Sequence, residues 1–227
     1  METGKEAAGT KAAEFIEPGM IVGLGTGTTA AYFIAALIQR HQQGLQIQVV
    51  ASSRHSADLA KQGGIPLLDL NSVPRVDLTV DGADEIDPKK RMIKGGGGAH
   101  VREKILACAS QEMIVIVDES KLVASIGRGK LPVEILFYGA PATRKHIEDL
   151  GMSGLWRTSS DGDFFFTENG NLLFDIEFPS PPSSPEDVHA TLIAIPGVID
   201  TGFFFGIAGR VIVGYADGRA VVHTDKL

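Results

Sequence analysis

Hydrophobic residues along this chain fall into two alternating patterns: short continuous apolar runs, and longer segments in which apolar residues recur at helical spacing. The clearest run is residues 113–117 (Met-Ile-Val-Ile-Val), whose continuous apolar character predicts a strand buried on both faces. Similar runs predict strands at residues 20–24, 47–51 and 76–80. Helical spacing predicts helices at residues 5–16, 30–39 and 99–109, and a helix that Ser53 caps. This alternation predicts a doubly wound, mostly parallel α/β sheet.

The pattern changes near residue 129, where a second set of elements begins. Strands are predicted at residues 133–137, 155–158, 163–167, 172–178 and 198–205, and helices at residues 143–150 and up to residue 194. Their β-α-β-β-α-β order resembles a small ferredoxin-like unit, and the turn at residues 168–171 indicates a hairpin. A final hairpin around Asp217 and Gly218 is assigned to the main sheet. We therefore predict a main α/β domain (residues 1–128 and 207–227) and a smaller α+β domain (residues 129–206) inserted near the C-terminus.

The composition is that of a globular protein, with 44% hydrophobic and 22% charged residues. A formal net charge of −7 argues against a nucleic-acid partner, and an anionic substrate would need local lysines and backbone amides to hold it. No apolar stretch approaches the ~18 residues of a membrane span, and the first residues lack a signal-peptide pattern. The single cysteine, Cys108, cannot form an internal disulfide, so we expect a cytoplasmic protein with this thiol buried in a helix.

The first candidate motif is the loop formed by Gly25, Thr26, Gly27, Thr28 and Thr29, which lies between a predicted strand and a predicted helix. Glycines let the backbone approach a ligand, and the free N–H groups of the following helix favour an anion. The loop lacks the lysine of a Walker motif and the third glycine of a dinucleotide fingerprint. It is therefore either a phosphate-binding loop or a tight strand-to-helix turn with capping threonines.

The second motif is the acidic loop Asp81, Gly82, Ala83, Asp84 and Glu85, which directly follows a buried strand. Three carboxylates within five residues repel one another unless they are solvated or paired. One interpretation is a metal site, although the spacing does not match a calcium loop. Another is hydroxyl binding and general acid–base chemistry on a sugar. A solvated acidic loop is the third.

The third motif is Lys94 followed by four glycines at residues 95–98 and then by the helix that carries Glu103. Four glycines lose much entropy on folding, and close approach of the backbone to an anion is the usual reason for them. Glu103 is either a helix-start residue favoured by the helix dipole or a general base beside the ligand. Lys94 could pair with a carboxylate or neutralise a developing oxyanion.

Lys121 follows the 113–117 strand, so it is either a surface lysine or a residue that reaches a phosphate at the end of a central strand. The six histidines are scattered and show no metal-ligand spacing. We interpret them as surface or incidental residues and expect no metal site.

Taken together, the ordered motifs closely resemble the type A ribose-5-phosphate isomerase family over almost the whole chain. The segments that carry the resemblance are residues 23–30, 80–85, 93–97, 102–104, 131–134 and 195–198. The resemblance implies interconversion of D-ribose 5-phosphate and D-ribulose 5-phosphate in the non-oxidative pentose phosphate pathway, with no metal or organic cofactor. It also implies a homodimer or homotetramer, to which the small domain contributes.

The resemblance implies roles for individual residues as well. Glu103 matches the general base that moves a proton between C2 and C1 through a cis-enediolate, while Asp81, Asp84 and Lys94 match residues that handle ring opening and the sugar hydroxyls. The positions implied for substrate binding are Thr26, Gly27, Thr28, Thr29, Asp81, Gly82, Ala83, Asp84, Lys94, Gly95, Gly96, Gly97, Lys121 and Lys5. The chain departs from the family pattern at Thr28, where serine is common, and at residues 98–100, where Ala-Ala-Leu is common.

Three alternatives remain from the residues themselves. A sugar-phosphate sensor could keep the phosphate loops, but Glu103 and Lys94 are both present and no helix-turn-helix precedes the domain. An acyl-CoA transferase-like enzyme with a glutamate nucleophile fits poorly with a chain of 227 residues and with the acidic loop. A metal-dependent sugar enzyme would lose activity in a chelator.

Overall fold

The computed structural model describes residues 1–73, 75–225 and 227, which form six α-helices, two short 3₁₀-helices (Leu70–Ser72 and Glu119–Lys121) and three β-sheets. The helices are α1 (Glu2–Ala13), α2 (Thr28–Gln42), α3 (Arg54–Gln62), α4 (His100–Cys108), α5 (Ala140–Asp149) and α6 (Pro185–Ile193). The strands are β1 (Ile21–Leu24), β2 (Gln48–Ala51), β3 (Val76–Asp81), β4 (Glu85–Ile86), β5 (Met92–Ile93), β6 (Ser110–Asp118), β7 (Lys130–Ile135), β8 (Ser153–Trp156), β9 (Leu172–Glu177), β10 (Val198–Thr201), β11 (Phe203–Phe204), β12 (Ala208–Gly214) and β13 (Ala220–His223).

The main sheet has six strands in the order β13-β12-β6-β3-β1-β2, and every neighbouring pair is parallel except β12 and β13. Its centre is β6, whose side chains alternate between two apolar cores. Ile114 and Ile116 pack in the core formed with α1, α2 and α3, while Val115 and Val117 pack in the core that includes Ala107 of α4. Helices therefore cover both faces, which confirms the predicted doubly wound sheet and explains the unbroken apolar run.

The second sheet has four antiparallel strands in the order β10-β7-β9-β8. Numbered within this unit, the strands run 4-1-3-2, and α5 and α6 follow its first and third strands, which is the predicted ferredoxin-like arrangement. Its core includes Ile147 of α5, Phe174 of β9 and Leu192 of α6. The final hairpin, β12 and β13, extends the main sheet as predicted.

Two predicted strands differ from those observed. Residues 163–167 form no strand; the isolated bridge between Phe166 and Leu172 marks the expected pairing, whereas Phe164 forms a bridge with Thr158. The reason is that β9 already pairs with β7 and β8 on its two sides. The predicted strand at residues 198–205 is divided at Gly202, so that β10 joins the small sheet and β11 pairs with β5.

The division at Gly202 creates a third sheet, β11-β5-β4, that the sequence analysis did not predict. Each of its strands has two residues, which is too short for a periodic signal. The Gly202 carbonyl accepts a hydrogen bond from the Lys94 backbone N–H at 2.9 Å, and the Gly202 N–H donates to Pro132 at 2.7 Å. This sheet therefore fixes the backbone of Lys94 between the two larger sheets.

Among the described residues, none of the helices is both long and apolar enough to cross a membrane. Cys108 is the last residue of α4, which confirms that it lies in a helix. The expectation that it would be buried is wrong, because its side chain is exposed. It lies one residue beyond Ala107, which takes the core-facing position at this end of the helix.

Candidate active site

The loops that follow three adjacent strands of the main sheet meet at one cavity. The Gly/Thr loop follows β1, the acidic loop follows β3, and Lys121 follows β6; the glycine run after β5 closes the cavity from the side. Ligands of open α/β sheets bind at this carboxyl edge. The cavity encloses about 520 Å³, including its open mouth, and is lined by Lys5, Thr26, Gly27, Thr28, Thr29, Gly82, Ala83, Asp84, Lys94, Gly95, Gly96, Gly97, Glu103 and Lys121.

Every sequence-predicted site residue lies in this lining except Asp81, which sits directly behind it. Asp81 ends β3, and its Oδ1 accepts hydrogen bonds from the backbone N–H groups of Thr26 at 3.0 Å and Gly82 at 2.7 Å. The approach is close enough that a Cβ at Gly25 would lie 2.1 Å from Asp81 Oδ1, so only glycine fits there. The Gly/Thr loop and the acidic loop are therefore joined through this carboxylate.

Lys94 connects the two buried carboxylates of the site. Its Nζ lies 2.9 Å from Asp81 Oδ2 and 3.5 Å from Glu103 Oε2, and it donates a hydrogen bond to the Gly82 carbonyl at 2.6 Å. All three charged side chains are almost completely buried. Glu103 projects from the first turn of α4, as the sequence analysis expected, and its Oε2 accepts no hydrogen bond from the described residues. An ammonium group therefore stands between these two carboxylates.

The electrostatics of this group favour a protonated glutamate. Burial, reinforced by the nearby charge of Asp81, raises the pKa of Glu103 to about 8, and Lys94 opposes this shift. Burial also raises the pKa of Asp81, and again Lys94 opposes the change. Burial disfavours the ammonium of Lys94, but the charges of Asp81 and Glu103 outweigh it and raise the pKa of Lys94, which stays protonated at neutral pH. Glu103 can therefore exchange a proton near neutral pH.

Asp84 also lines the cavity, but it is not buried as Asp81 and Glu103 are. Its side chain is exposed, and its Oδ2 accepts a hydrogen bond from the Gly96 backbone N–H at 2.7 Å. The Asp84 backbone N–H donates to Ile93 at 2.8 Å, so the acidic loop is tied to β5. Asp84 therefore links the acidic loop to the glycine run and keeps a free oxygen for a ligand hydroxyl.

The cavity lining also includes positively polarised groups. The first turn of α2 points into it without a capping side chain, and its N-cap, Gly27, has a φ of 109°, which favours glycine. Lys121 and Lys5 line the same cavity, and the Lys5 ammonium also lies 3.1 Å from Glu2. Free N–H groups at a helix N-terminus and two ammonium groups form an anion site that suits a phosphate. The Thr26 hydroxyl already shares a hydrogen bond of 2.8 Å with the Ser52 hydroxyl.

Glu85 does not belong to the site, although the sequence places it in the same acidic loop. Its carboxylate is buried and accepts hydrogen bonds from the backbone N–H groups of Gly127 at 2.6 Å and Arg128 at 3.2 Å, and from that of Gly129. Glu85 therefore fixes the chain where it leaves the main sheet for the small one. The three carboxylates of the motif avoid mutual repulsion because they face different partners.

One histidine differs from its sequence interpretation. His100 is completely buried behind the glycine run, and its Nε2 lies 3.3 Å from the Asp200 carbonyl. Burial lowers the pKa of His100 to about 4, so the ring is neutral at neutral pH. No sequence signal separated His100 from the other five histidines, because its burial depends on a strand about 100 residues away.

Arg157, which was not among the predicted site residues, reaches the site from the end of β8 in the four-stranded sheet. Its Nη1 donates hydrogen bonds to the carbonyls of Gly95 at 2.7 Å and Gly96 at 3.0 Å. No local pattern could have found this contact, because it joins segments about 60 residues apart. Within the described ranges 1–73, 75–225 and 227, no group of three or more His, Cys, Asp or Glu side chains is arranged to hold a metal ion.

Comparisons with known proteins give one consistent result. A family model described as Ribose 5-phosphate isomerase A (phosphoriboisomerase A) matches residues 48–218. The ribose-5-phosphate isomerase A of Protochlamydia amoebophila is 50% identical over 218 residues, covering 96% of this chain and 94% of that protein. A ribose 5-phosphate isomerase structure from Plasmodium falciparum has a TM-score of 0.95 at 30% identity and covers 100% of both chains. A D-ribose-5-phosphate isomerase in complex with phospho-erythronic acid has a TM-score of 0.92 at 36% identity, with 97% of each chain covered.

Proposed function

The chain belongs to the ribose 5-phosphate isomerase A family, which interconverts ribose 5-phosphate and ribulose 5-phosphate, and we propose that Glu103, Lys94, Asp81 and Asp84 carry out the proton transfers. The observation that supports this most directly is the buried Glu103 carboxyl, whose pKa is raised to about 8 and which lies 3.5 Å from the Lys94 ammonium. A base poised near the working pH beside a fixed cation suits the abstraction of a proton next to a carbonyl.

The substrate orientation follows from the polarity of the cavity. The phosphate lies at the N-terminus of α2 between Lys5 and Lys121, where free N–H groups and two ammonium groups offset its charge. The sugar carbons then point toward Asp84, Lys94 and Glu103. This orientation places the non-reacting phosphate far from the base, so phosphate binding contributes to positioning rather than to chemistry.

Ring opening comes first because the furanose form of the sugar has a hemiacetal at C1 and no free carbonyl group. The C1–O bond to the ring oxygen breaks, the O1–H gives up its proton, and the ring oxygen gains one. The Asp81–Lys94 pair carries this proton, with the Lys94 ammonium in the cavity and Asp81 behind it at 2.9 Å. Asp84, an exposed residue of the cavity lining, holds the sugar hydroxyls.

Isomerisation then needs a single base. The Glu103 carboxylate takes the proton from C2, the electron pair forms the C1–C2 double bond, and the C1 carbonyl oxygen becomes an enediolate oxygen. Lys94 and the backbone N–H groups of the glycine run stabilise this charge. The Glu103 carboxyl then returns the proton to C1, the C2–O2 bond becomes the new carbonyl, and the O2 proton passes to the O1 oxygen. These transfers form the ketose and regenerate the Glu103 carboxylate.

The function is tested by following ribose 5-phosphate by NMR in the presence of EDTA. We expect conversion to ribulose 5-phosphate at the same rate with and without the chelator, because Lys94 supplies the positive charge that a metal would supply elsewhere. Loss of activity in EDTA that Mg²⁺ or Zn²⁺ restores would contradict a metal-free mechanism. Saturable binding without conversion would instead indicate a sugar-phosphate sensor.

A ligand found in a relative provides a second test. Phospho-erythronic acid carries a phosphate and a carboxylate, and the carboxylate places negative charge where the enediolate oxygens form. We therefore expect it to inhibit this enzyme competitively with ribose 5-phosphate. Because Lys94 lies where that charge forms, Lys94→Met should weaken inhibition by phospho-erythronic acid more than it weakens inhibition by inorganic phosphate.

The family resemblance and one surface of the small domain support a homo-oligomer, either a dimer or a tetramer. Phe137, Tyr138, Phe164 and Phe166 are large side chains that are about half or more exposed, and the rings of Phe137 and Phe166 lie 5.5 Å apart. Grouped apolar side chains of this kind are typical of protein interfaces. We expect light scattering to give a dimer or tetramer, and Phe137→Glu with Phe166→Glu to reduce its mass. A monomeric wild-type protein would contradict this assignment.

We further propose that the enzyme acts in the cytoplasm. Its single cysteine, Cys108, is an exposed thiol without an internal partner, and a reducing compartment keeps such thiols free. Fractionation of the source cells should recover the isomerase activity with cytoplasmic markers. Recovery with secreted or membrane fractions would contradict this proposal.

A further inference from the structure

The glycine run is held from two sides through a single peptide unit. The Gly95 carbonyl accepts a hydrogen bond from Arg157 Nη1 at 2.7 Å, and the N–H of the same unit, on Gly96, donates to Asp84 Oδ2 at 2.7 Å. In a trans peptide the carbonyl and the N–H point in opposite directions. Arg157 and Asp84 therefore fix the rotation of this peptide plane between them.

The next peptide unit is held by Arg157 on one side only. The Gly96 carbonyl lies 3.0 Å from Arg157 Nη1, so the N–H of this unit, on Gly97, points away from Arg157. Gly97 lines the cavity, and within the described part of the chain its N–H donates to no protein acceptor. This N–H is a donor available to a ligand oxygen.

The guanidinium of Arg157 is itself rigidly placed. Asp175 on β9 binds it in a bidentate manner, with Nε–Oδ2 at 2.9 Å and Nη2–Oδ1 at 2.6 Å, and both side chains are at least 85% buried. The Arg157 backbone N–H donates to Leu173 at 2.9 Å, and the Phe165 ring lies 5.9 Å from the guanidinium. The planar fork of arginine suits this double contact, and lysine could not reproduce it.

We propose that Arg157 is a positioning residue for the isomerase reaction. Held by Asp175, it orients the glycine run so that the Gly97 N–H faces the substrate oxygen on which charge develops and so that Gly96 keeps Asp84 in place. This inference rests on the proposed function, and it gives the small domain a part in the active site. Arg157 acts only through the peptide groups and does not contact the substrate.

The test compares Arg157→Lys with Arg144→Lys in the full-length protein. Arg144 is also an arginine of the small domain over an aromatic ring, 5.2 Å from the centre of Phe174, but it pairs with Glu148 rather than with the glycine run. For Arg157→Lys we expect kcat, counted per folded molecule, to fall roughly 10- to 100-fold, since loss of one whole oxyanion donor costs about 10²- to 10³-fold. KM should change less than about threefold, and Arg144→Lys should keep kcat within about twofold.

A second readout separates positioning from simple destabilisation. Because a misplaced Gly97 N–H weakens binding of a charged oxygen, inhibition by phospho-erythronic acid should weaken together with kcat, while inhibition by inorganic phosphate should stay unchanged. Asp175→Asn loosens the guanidinium of Arg157 without removing it. We expect kcat and inhibition by phospho-erythronic acid to fall together in this variant too, but by less. If Arg157→Lys does not fold, Asp175→Asn provides the test.

Two different results would contradict the proposed function and the role of Arg157. Wild-type protein that does not convert ribose 5-phosphate would contradict the function itself. A different result would overturn only the role of Arg157. In that case the wild-type protein is active, and kcat per folded molecule stays within about twofold of wild type in folded Arg157→Lys or in Asp175→Asn.

Discussion

Two buried carboxylates, Asp81 and Glu103, share one ammonium group, that of Lys94. Asp81 is closer to it, at 2.9 Å rather than 3.5 Å, and also accepts two backbone N–H bonds. Burial raises the pKa of both carboxyls, but at Asp81 the nearby cation and the backbone hydrogen bonds oppose that shift, so Asp81 is the better suited of the two to the negative charge and Glu103 to the proton. Environment rather than residue type therefore assigns the roles, with Glu103 as the group that exchanges protons.

This assignment predicts the effect of Asp81→Asn on Glu103. Burial and the charge of Asp81 together raise the pKa of Glu103 to about 8, so removal of that charge should lower it, while burial keeps it above the ordinary value. Lys94, released from Asp81, would favour ionised Glu103 and act in the same direction. Carbon-13 NMR titration of the Glu103 carboxyl, assigned with Glu103→Gln, measures the change. An unchanged or higher pKa in Asp81→Asn would contradict the shared-charge account.

The same coupling fixes the sign of the pH dependence. A general base must be ionised, so kcat/KM should fall as the pH drops through the raised pKa of Glu103 in the free enzyme. We expect the acid limb of the profile to lie well above 4.5, the ordinary glutamate value. Initial rates at low substrate across pH 5 to 9 measure it, and a flat profile down to about pH 5 would contradict Glu103 as the base.

At the scale of elements, the N-terminus of α2 and the lysines beside it form the phosphate end of the cavity. Lys121→Met should raise KM for ribose 5-phosphate about tenfold and leave kcat within about threefold, because the phosphate is held equally in the ground and transition states. Lys11→Met is a matched control, since Lys11 on α1 pairs with Glu14, the residue that follows α1, and neither lines the cavity. Steady-state kinetics decide the case, and an unchanged KM in Lys121→Met would place the phosphate elsewhere.

Element prediction from sequence succeeded where the pattern was long and local. The central strand β6 and the helix capped by Ser53 lie where the pattern places them, and Ser53 accepts the predicted cap bond from the Ser56 N–H at 3.2 Å. The two-residue strands and the division at Gly202 escaped prediction because tertiary pairing, not local propensity, creates them. The same limit hid Arg157, whose partners in the glycine run are far away in sequence.

At the scale of the whole molecule, Glu85 ties β4 of the three-stranded sheet to the segment that leads from the main sheet into the four-stranded one. Glu85→Gln removes a buried charge-assisted acceptor of three backbone N–H groups, and we expect a loss of about 2–3 kcal/mol in the free energy of unfolding. The control is Glu177→Gln, whose exposed pair with Lys130 at 3.5 Å should contribute less than about 1 kcal/mol. Urea denaturation compares the two, and equal midpoints would contradict a structural role for Glu85.

The cavity itself was predictable because loops at the carboxyl edge of adjacent parallel strands must converge. Fourteen residues line it, and each was a sequence-predicted site residue. Among the predicted site residues, Asp81 alone lies behind the cavity lining, because its carboxylate points toward Thr26 and Lys94. Sequence could place these groups together but could not show which carboxylates face the cavity, since that depends on packing between loops.

The measurement that tests the central claim most directly is solvent deuterium incorporation from ribose 5-phosphate in heavy water with EDTA, wild type beside Glu103→Gln. If Glu103 moves the proton between C2 and C1, wild type should form ribulose 5-phosphate that carries deuterium at C1 in those turnovers in which the proton on Glu103 exchanges with solvent. Glu103→Gln should bind the sugar phosphate but lose roughly 10³-fold or more in both conversion and exchange. Conversion and exchange at near wild-type rates in folded Glu103→Gln would contradict the account.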